Sequence, residues 1–215
     1  MGQDAASKAA AVINSSVGGN AVRTPKTTKK MSEHVKEYEN YDDMVKAAQL
    51  LGTFQSIHNV IRPDFLELLR LTEEVKTNEK SFDALYRACL TRFFTLIEAD
   101  IYGLNKLDMY EGYDDKKDRF IEKFKETFKQ ICKTWNKEEL QKKYFDSKLQ
   151  GLIELKKKRD GLVHPKTIED VHKASDKDFQ ELKTVFEDYD KFMNDLMNGF
   201  WLRARVDSSK FFGQR

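Results

Sequence analysis

Apolar residues recur every three or four positions over most of the chain, which is the spacing of an amphipathic α-helix. The pattern begins after Asn40, a residue type that caps helices. Pro63 then predicts either a kink in this helix or the start of a second one. Two further helices are predicted, from residue 81 to about residue 103 and from residue 120 to about residue 135. The apolar positions of the first helix are Met44, Ala47, Ala48, Leu51, Phe54, Ile57 and Ile61.

The second half of the chain predicts a long helix followed by a closing helix. Residues 136–139 read Asn-Lys-Glu-Glu, the pattern of a capping box, and helical spacing continues from there to about Val163. Pro165 ends this helix, because the residue before a proline is pushed out of helical geometry. The closing helix begins near Ser175 and carries a heptad seam, with a flank that faces either the core or a partner. The seam consists of Phe179, Leu182, Phe186, Tyr189, Met193, Leu196 and Phe200, and the flank of Val185, Phe192, Met197 and Trp201.

The composition also favours an all-α fold. The chain has 215 residues but only 10 Gly and 3 Pro, too few to punctuate a β-sandwich or barrel. We expect an antiparallel bundle of about five to six helices over residues 40–202. Residues 1–39 are predicted to be a flexible basic arm, because residues 1 to about 30 hold almost no large apolar side chains. Residues 203–215 are predicted to be a flexible basic tail, either mobile or packed back through Phe211 and Phe212.

The net charge of +2 is unevenly distributed. Residues 1–30 carry +4 and residues 203–215 carry +3, so residues 31–202 carry −5. An acidic central region with basic ends is not the charge distribution of a general duplex-DNA binder, so any contact with nucleic acid must be local. Cys89 and Cys132 have no metal-ligand spacing, and no apolar run reaches the roughly 20 residues of a membrane span. We therefore expect a cytoplasmic protein with no metal, cofactor or membrane contact.

One segment departs from the helical pattern. Residues 156–166 read Lys-Lys-Lys-Arg-Asp-Gly-Leu-Val-His-Pro-Lys, at the end of the predicted long helix. Around an ideal helix Arg159 and His164 would lie about 140° apart. Gly161 weakens the last turn and Pro165 pulls His164 out of helical geometry, so we expect the two side chains to converge.

An arginine and a histidine in one pocket suit RNA cleavage without a metal. An imidazole titrates near neutral pH and can take the proton of a 2′-hydroxyl or protonate the leaving oxygen. A guanidinium is always charged and can stabilise the negative charge of the phosphorane. Asp160 either orients Arg159 or offsets the effect of the nearby lysines on the histidine. The lysines expected to attract RNA phosphates are Lys156, Lys157, Lys158 and Lys166.

The segment from Arg159 to His164 resembles the Arg-x4-6-His signature of the HEPN superfamily. The predicted order of elements, with a long helix that ends in the motif and then a closing helix, is similar to that family. The resemblance implies a homodimeric all-α endoribonuclease of a toxin–antitoxin or phage-defence system, which cleaves RNA without a metal and leaves a 2′,3′-cyclic phosphate. It implies that Arg159, Asp160 and His164 of two protomers line a shared cleft, and that a cognate antitoxin or inhibitor protein is a possible partner.

The resemblance also implies an acidic residue on an earlier helix. Glu98 is the candidate, because it interrupts a strongly apolar run. Glu98 could instead be an exposed carboxylate or an ion-pair partner of Arg92 or Lys106. One variant of the family carries a tyrosine two residues after the histidine. Lys166 stands there in this chain, so we expect no regulation by tyrosine modification at the motif.

Two other functions stay open. The chain could be a catalytically inactive HEPN-like dimer that binds RNA, a nucleotide or a protein. It could also be an unrelated bundle whose closing helix docks on a partner. Tyr102, Tyr110 and Tyr113 form an acidic aromatic segment with neighbouring aspartates, which is either solvated or touches a partner.

Overall fold

The computed structural model describes residues 34–114, 116, 119–170, 173–198 and 200–204. Helices dominate these residues, so the predicted all-α bundle is confirmed, with six α-helices. A single turn of 3-10 helix, η1, covers Ile168–Asp170, and a short parallel sheet pairs strand β1, His34–Tyr38, with strand β2, Phe200–Ala204. The helices are α1 Tyr41–Glu74, α2 Glu79–Asp108, α3 Phe120–Thr134, α4 Glu138–Ser147, α5 Leu149–Val163 and α6 Asp176–Met197.

Helix α1 is one continuous element of 34 residues, with Pro63 inside it. Asn40 caps it as predicted, since its side chain accepts the backbone N–H of Asp43 at 2.8 Å. The alternative of a second helix starting at Pro63 is therefore wrong. Helix α1 packs along α2, where Phe54 lies directly against Gly103.

The core is aromatic and is closed by α6. Phe93 of α2 contacts Phe65 of α1 and both Phe186 and Tyr189 of α6, with ring centroids 5.5 to 6.0 Å apart. The seam residues of α6 from Phe179 to Leu196 are all buried, and so are Val185 and Phe192 of the flank. The wide apolar stripe of α6 thus serves the core over this stretch.

The predicted long helix is two helices, and its predicted capping box is wrong. Asn136 has a left-handed backbone with φ 53°, and Lys137 stands at the N-cap of α4 without a side-chain cap bond. The ammonium of Lys137 instead donates to three backbone carbonyls at the end of α6, at 2.5, 2.7 and 2.7 Å. This buried anchor fixes the turn before α4, and Lys148 separates α4 from α5.

The parallel sheet corrects the predicted domain boundaries. Residues 34–38 were expected in the flexible arm, but they form β1 and pair with β2, with His34 opposite Phe200 and Tyr38 opposite Ala204. Tyr38 is buried, and its hydroxyl donates to the carbonyl of Leu107 at 2.9 Å. The boundary predicted at residue 202 falls inside β2, and Phe200 belongs to this strand rather than to the seam of α6. The predictions for residues 1–33 and 205–215 lie outside the described residues.

Candidate functional site

Helix α5 keeps regular geometry to its end. The backbone N–H of His164, the C-cap residue, still donates to the carbonyl of Asp160 at 3.0 Å, and only His164 leaves helical dihedrals, with φ −129° and ψ 57°. The predicted loosening at Gly161 is therefore wrong. Gly161 packs against η1, where a Cβ at this position would lie in van der Waals contact with Asp170, 3.4 Å from its carbonyl oxygen.

The segment after His164 is held in a tight turn by Asp170. The Asp170 carboxylate accepts the backbone N–H groups of Lys166 at 2.7 Å and Thr167 at 2.9 Å. These two hydrogen bonds lower the pKa of Asp170, because they stabilise its charged form. The turn fixes the direction in which the chain leaves α5, just beyond the histidine.

Arg159 lies between two carboxylates, and one of them is the predicted Glu98. Its Nη1 is 3.4 Å from Oδ1 of Asp160, and its Nη2 is 3.9 Å from Oε1 of Glu98 on α2. The Arg159 side chain is 23% exposed, and its buried Nε has no hydrogen-bond partner among the described residues. Arg92, one of the other partners considered for Glu98, is paired with Asp64 instead. The structure thus brings together three of the four predicted catalytic residues.

His164 stands apart from this group. It is exposed at the C-terminal end of α5. Within the described part of the chain, its imidazole makes no hydrogen bond or ion pair, and none joins it to Arg159. The expected convergence of the two side chains is therefore not made by a contact within one chain.

The four predicted RNA-binding lysines fall into two pairs. Lys156 and Lys158 are engaged in ion pairs: Nζ of Lys156 is 2.5 Å from Asp160, and Nζ of Lys158 is 2.6 Å from Asp178 on α6. Burial acts to lower the pKa of Lys158, but its hydrogen bonds to carboxylates on α6 raise it on balance. Lys157 pairs with Glu154 at 3.0 Å, but its side chain is 67% exposed, and Lys166 also lies at the surface.

A cleft of about 400 Å³ lies beside Arg159, between α2 and α3. We call it the Tyr102 cleft. Two of its residues, Tyr102 and Tyr113, belong to the acidic aromatic segment seen in the sequence, where no pattern connects them with the arginine. Its lining residues are Glu98, Ile101, Tyr102, Tyr113, Phe120 and Lys123.

A buried polar cluster connects three helices elsewhere in the bundle. The carboxylate of Asp100 is 2.8 Å from Nδ1 of His58, and it accepts the hydroxyl of Tyr189 at 2.8 Å. Burial raises the pKa of Asp100, although both hydrogen bonds oppose that rise. Sequence analysis missed this cluster, because its members are 42 and 89 residues apart. The only signal was an aspartate inside the apolar pattern of α2.

Among the described residues, no group of three or more His, Cys, Asp or Glu side chains could hold a metal ion. In the same part of the chain, no helix combines the length and apolar character needed to cross a bilayer. Comparison of the sequence and structure with models of protein families, with curated proteins and with solved structures found no match.

Proposed function

We propose that the protein is a metal-independent endoribonuclease whose reaction uses Arg159 and His164, with Asp160 and Glu98 beside the arginine. The main support is the guanidinium of Arg159. It offers five N–H donors, yet it makes one hydrogen bond, of 3.4 Å, and its Nε has no partner among the described residues. Arg62 on α1 is different, because it holds Asp190 through two bonds of 2.5 and 2.8 Å. Arg159 therefore retains hydrogen-bonding capacity for a phosphate.

His164 supplies the acid–base chemistry. Its exposed imidazole takes the proton of the ribose 2′-hydroxyl, and the 2′-oxygen attacks the adjacent phosphorus. The bond from phosphorus to the 5′-oxygen then breaks, and that oxygen takes up, as it leaves, the proton that the imidazole of His164 had accepted. The products are a 2′,3′-cyclic phosphate and a 5′-hydroxyl. Arg159 stabilises the additional negative charge that the phosphorane carries between these two steps.

A second protomer would complete the site, since no hydrogen bond or ion pair joins Arg159 to His164 among the described residues of one chain. We propose a homodimer that faces two α5 tips towards each other, as the HEPN resemblance implies. The apolar residues around His164 support this arrangement: Val163 is 42% exposed and Ile168 is 78% exposed. Large apolar side chains exposed on both sides of a polar site are typical of a protein contact surface. The dimer would bury them and bring the histidine of one chain to the arginine of its partner.

The surface lysines give the RNA backbone its binding contacts. Lys157 and Lys166 flank the motif at the surface, and the pair that Lys157 makes with Glu154 is exposed to solvent, whereas Lys156 and Lys158 are partly buried against carboxylates. The affinity for RNA should therefore fall as the salt concentration rises, and the fall should be modest because few phosphates are contacted. The HEPN resemblance extends the proposal to a toxin or phage-defence protein, held in check by a cognate antitoxin or inhibitor.

Cleavage of RNA in the presence of EDTA tests the proposal. The wild-type protein should cut single-stranded RNA and leave 2′,3′-cyclic phosphate ends. His164→Ala and Arg159→Ala should each lower the rate at least about a hundredfold, the size of effect expected for an acid–base group or an electrostatic stabiliser. Arg70→Ala is the matched control, because Arg70 is a surface arginine paired with Glu67 and Glu74 far along α1. Equal cleavage by all four proteins would contradict the assignment.

A catalytically inactive RNA-binding dimer is the second candidate. It is favoured by the two carboxylates that face Arg159, because Glu98 and Asp160 compete with a phosphate for the guanidinium. This protein would bind single-stranded RNA in a fluorescence anisotropy titration and leave it intact over hours. Loss of binding in Arg159→Ala, without any cleavage by the wild type, would favour this candidate over the nuclease.

A further inference from the structure

We infer that the Tyr102 cleft holds one unpaired base of the RNA, next to the phosphate bound by Arg159. This inference rests on the proposed function, since the substrate is the same RNA. The cleft volume of about 400 Å³ lies in the range of about 300–1,000 Å³ that is typical of small-ligand sites.

The cleft and the arginine are continuous through Glu98. The Glu98 side chain lines the cleft, and its Oε1 is 3.9 Å from Nη2 of Arg159. A second connection runs through Phe120, which also lines the cleft. The ammonium of Lys156 lies 5.5 Å from the centre of its ring and pairs with Asp160, the other carboxylate at the arginine. A ligand in the cleft would therefore be adjacent to a phosphate on Arg159.

The lining suits a nucleobase. Tyr102 is 48% exposed, an unusual degree for a large aromatic side chain in this fold, and Lys106 lies 5.4 Å from the centre of its ring. Tyr113 and Phe120 bring two further rings to the same cleft. Proteins bind single-stranded RNA by stacking unpaired bases on such rings beside positive charge. A purely apolar ligand would displace water from the exposed carboxylate of Glu98 without offering it a hydrogen bond.

Glu98 indicates which base fits best. A carboxylate accepts hydrogen bonds but offers none, so it selects a base edge that carries donors. Guanine presents N1–H and the N2 amino group side by side, and both can donate to one carboxylate. Uracil presents a single N3–H between two carbonyl oxygens, which a carboxylate repels. We therefore expect the cleft to prefer guanine over uracil.

Binding of labelled oligonucleotides tests the inference separately from catalysis. The probe is a uridine oligonucleotide of about nine residues, with or without one central guanosine, because single-strand sites span about 4–16 nucleotides. Titrations use the full-length His164→Ala protein, which keeps the cleft but should not cut the probe. The unsubstituted cleft should bind the guanosine probe about tenfold more tightly than the all-uridine probe.

Substitutions at the cleft should remove that preference. In the same background, Tyr102→Ala should weaken binding of the guanosine probe about tenfold, and Tyr102→Phe, which keeps the ring, should restore it. Glu98→Gln should reduce the preference for guanosine. Tyr41→Ala is the control, because Tyr41 is a tyrosine 65% exposed at the start of α1.

Two results would overturn the inference. One is equal affinity of Tyr102→Ala and its parent for both probes. The other is an equal loss of affinity in Tyr41→Ala. If the wild type cleaves RNA and Tyr102→Ala changes neither affinity nor cleavage positions, the cleft is not a base site while the nuclease stands. If the wild type cleaves nothing but binds the guanosine probe through Tyr102, the cleft stands and the nuclease fails.

Discussion

Two carboxylates on α2 differ in burial and in the contacts they make. Asp100 is 1% exposed, and each of its oxygens makes a hydrogen bond, one with His58 and one with Tyr189, so the burial leaves a ligand no access to it. Glu98, two positions earlier on α2, has a side chain 52% exposed and meets Arg159 only at 3.9 Å. Residues two positions apart point to opposite sides of a helix, so Asp100 points into the core and Glu98 points to the surface.

Two substitutions of Asp100 should distinguish the contribution of its hydrogen bonds to stability from the contribution of its charge. Asp100→Ala leaves the buried hydroxyl of Tyr189 and Nδ1 of His58 without a partner, and should lower the free energy of unfolding by about 2–4 kcal/mol. Asp100→Asn keeps the shape and one acceptor, and should cost less. Urea denaturation followed by circular dichroism measures both values. An Asp100→Ala protein as stable as the wild type would show that the cluster contributes nothing.

The difference in stability between Asp100→Asn and the wild type should depend on pH, with a defined sign. Burial raises the pKa of Asp100 above its unfolded value, so the wild type loses stability as the pH rises through the folded-state pKa. Asn cannot ionise and avoids this loss. The stability of Asp100→Asn relative to the wild type should therefore increase from about pH 4 to pH 8. A constant difference over that range would contradict the raised pKa.

The candidate site was only partly predictable from single residues. Glu98 could be chosen because a charge inside an apolar run is conspicuous, and the structure does pair it with Arg159. The convergence of Arg159 and His164 could not be judged from the sequence, because the last turn of α5 stays regular and packs against η1 at Gly161. That contact is between the helix and a later segment, so no local pattern reports it.

At the scale of elements, the spacing of apolar residues located the helices well and their ends less well. Asn40 and Ser175 act as caps as predicted, because a cap bond joins residues three apart in the chain. The cap predicted at Asn136 is wrong, because Lys137 reaches across to carbonyls about 60 residues away. Long-range hydrogen bonds override a local capping signal here.

The packing of α1 on α2 gives opposite outcomes for two glycine substitutions. A Cβ at Gly103 would lie 2.6 Å from the ring of Phe54, so Gly103→Ala should lower the free energy of unfolding by about 1–3 kcal/mol. Gly52 lies in α1 with nothing within 4 Å of its Cβ position. Gly52→Ala should raise the free energy of unfolding by about 1 kcal/mol, the difference in helix propensity. Thermal denaturation compares them directly, and a Gly103→Ala protein at least as stable as the wild type would refute this helix contact.

At the scale of the whole molecule, β1 and β2 join the two ends of the described chain. Lys36 of β1 donates to the buried carboxylate of Asp108 at 2.9 Å, and the ring of Phe200 in β2 stacks on Trp135 at 4.1 Å. Neither strand was predicted, because each has five residues and pairs with a segment more than 160 positions away. The fold class therefore follows from the sequence pattern, whereas the closure of the bundle by this sheet does not.

The central claim is a reaction shared between two chains, and mixing two inactive proteins tests it most directly. Arg159→Ala and His164→Ala are produced together in one cell with different tags, so that mixed dimers form, and RNA cleavage is measured in EDTA. A site that takes its arginine and its histidine from different chains predicts recovery, since one site of each mixed dimer keeps both groups, giving about a quarter of wild-type activity after random pairing. A mixture that contains the mixed dimer but cleaves no faster than either variant alone, while the wild type cleaves, would contradict the shared site.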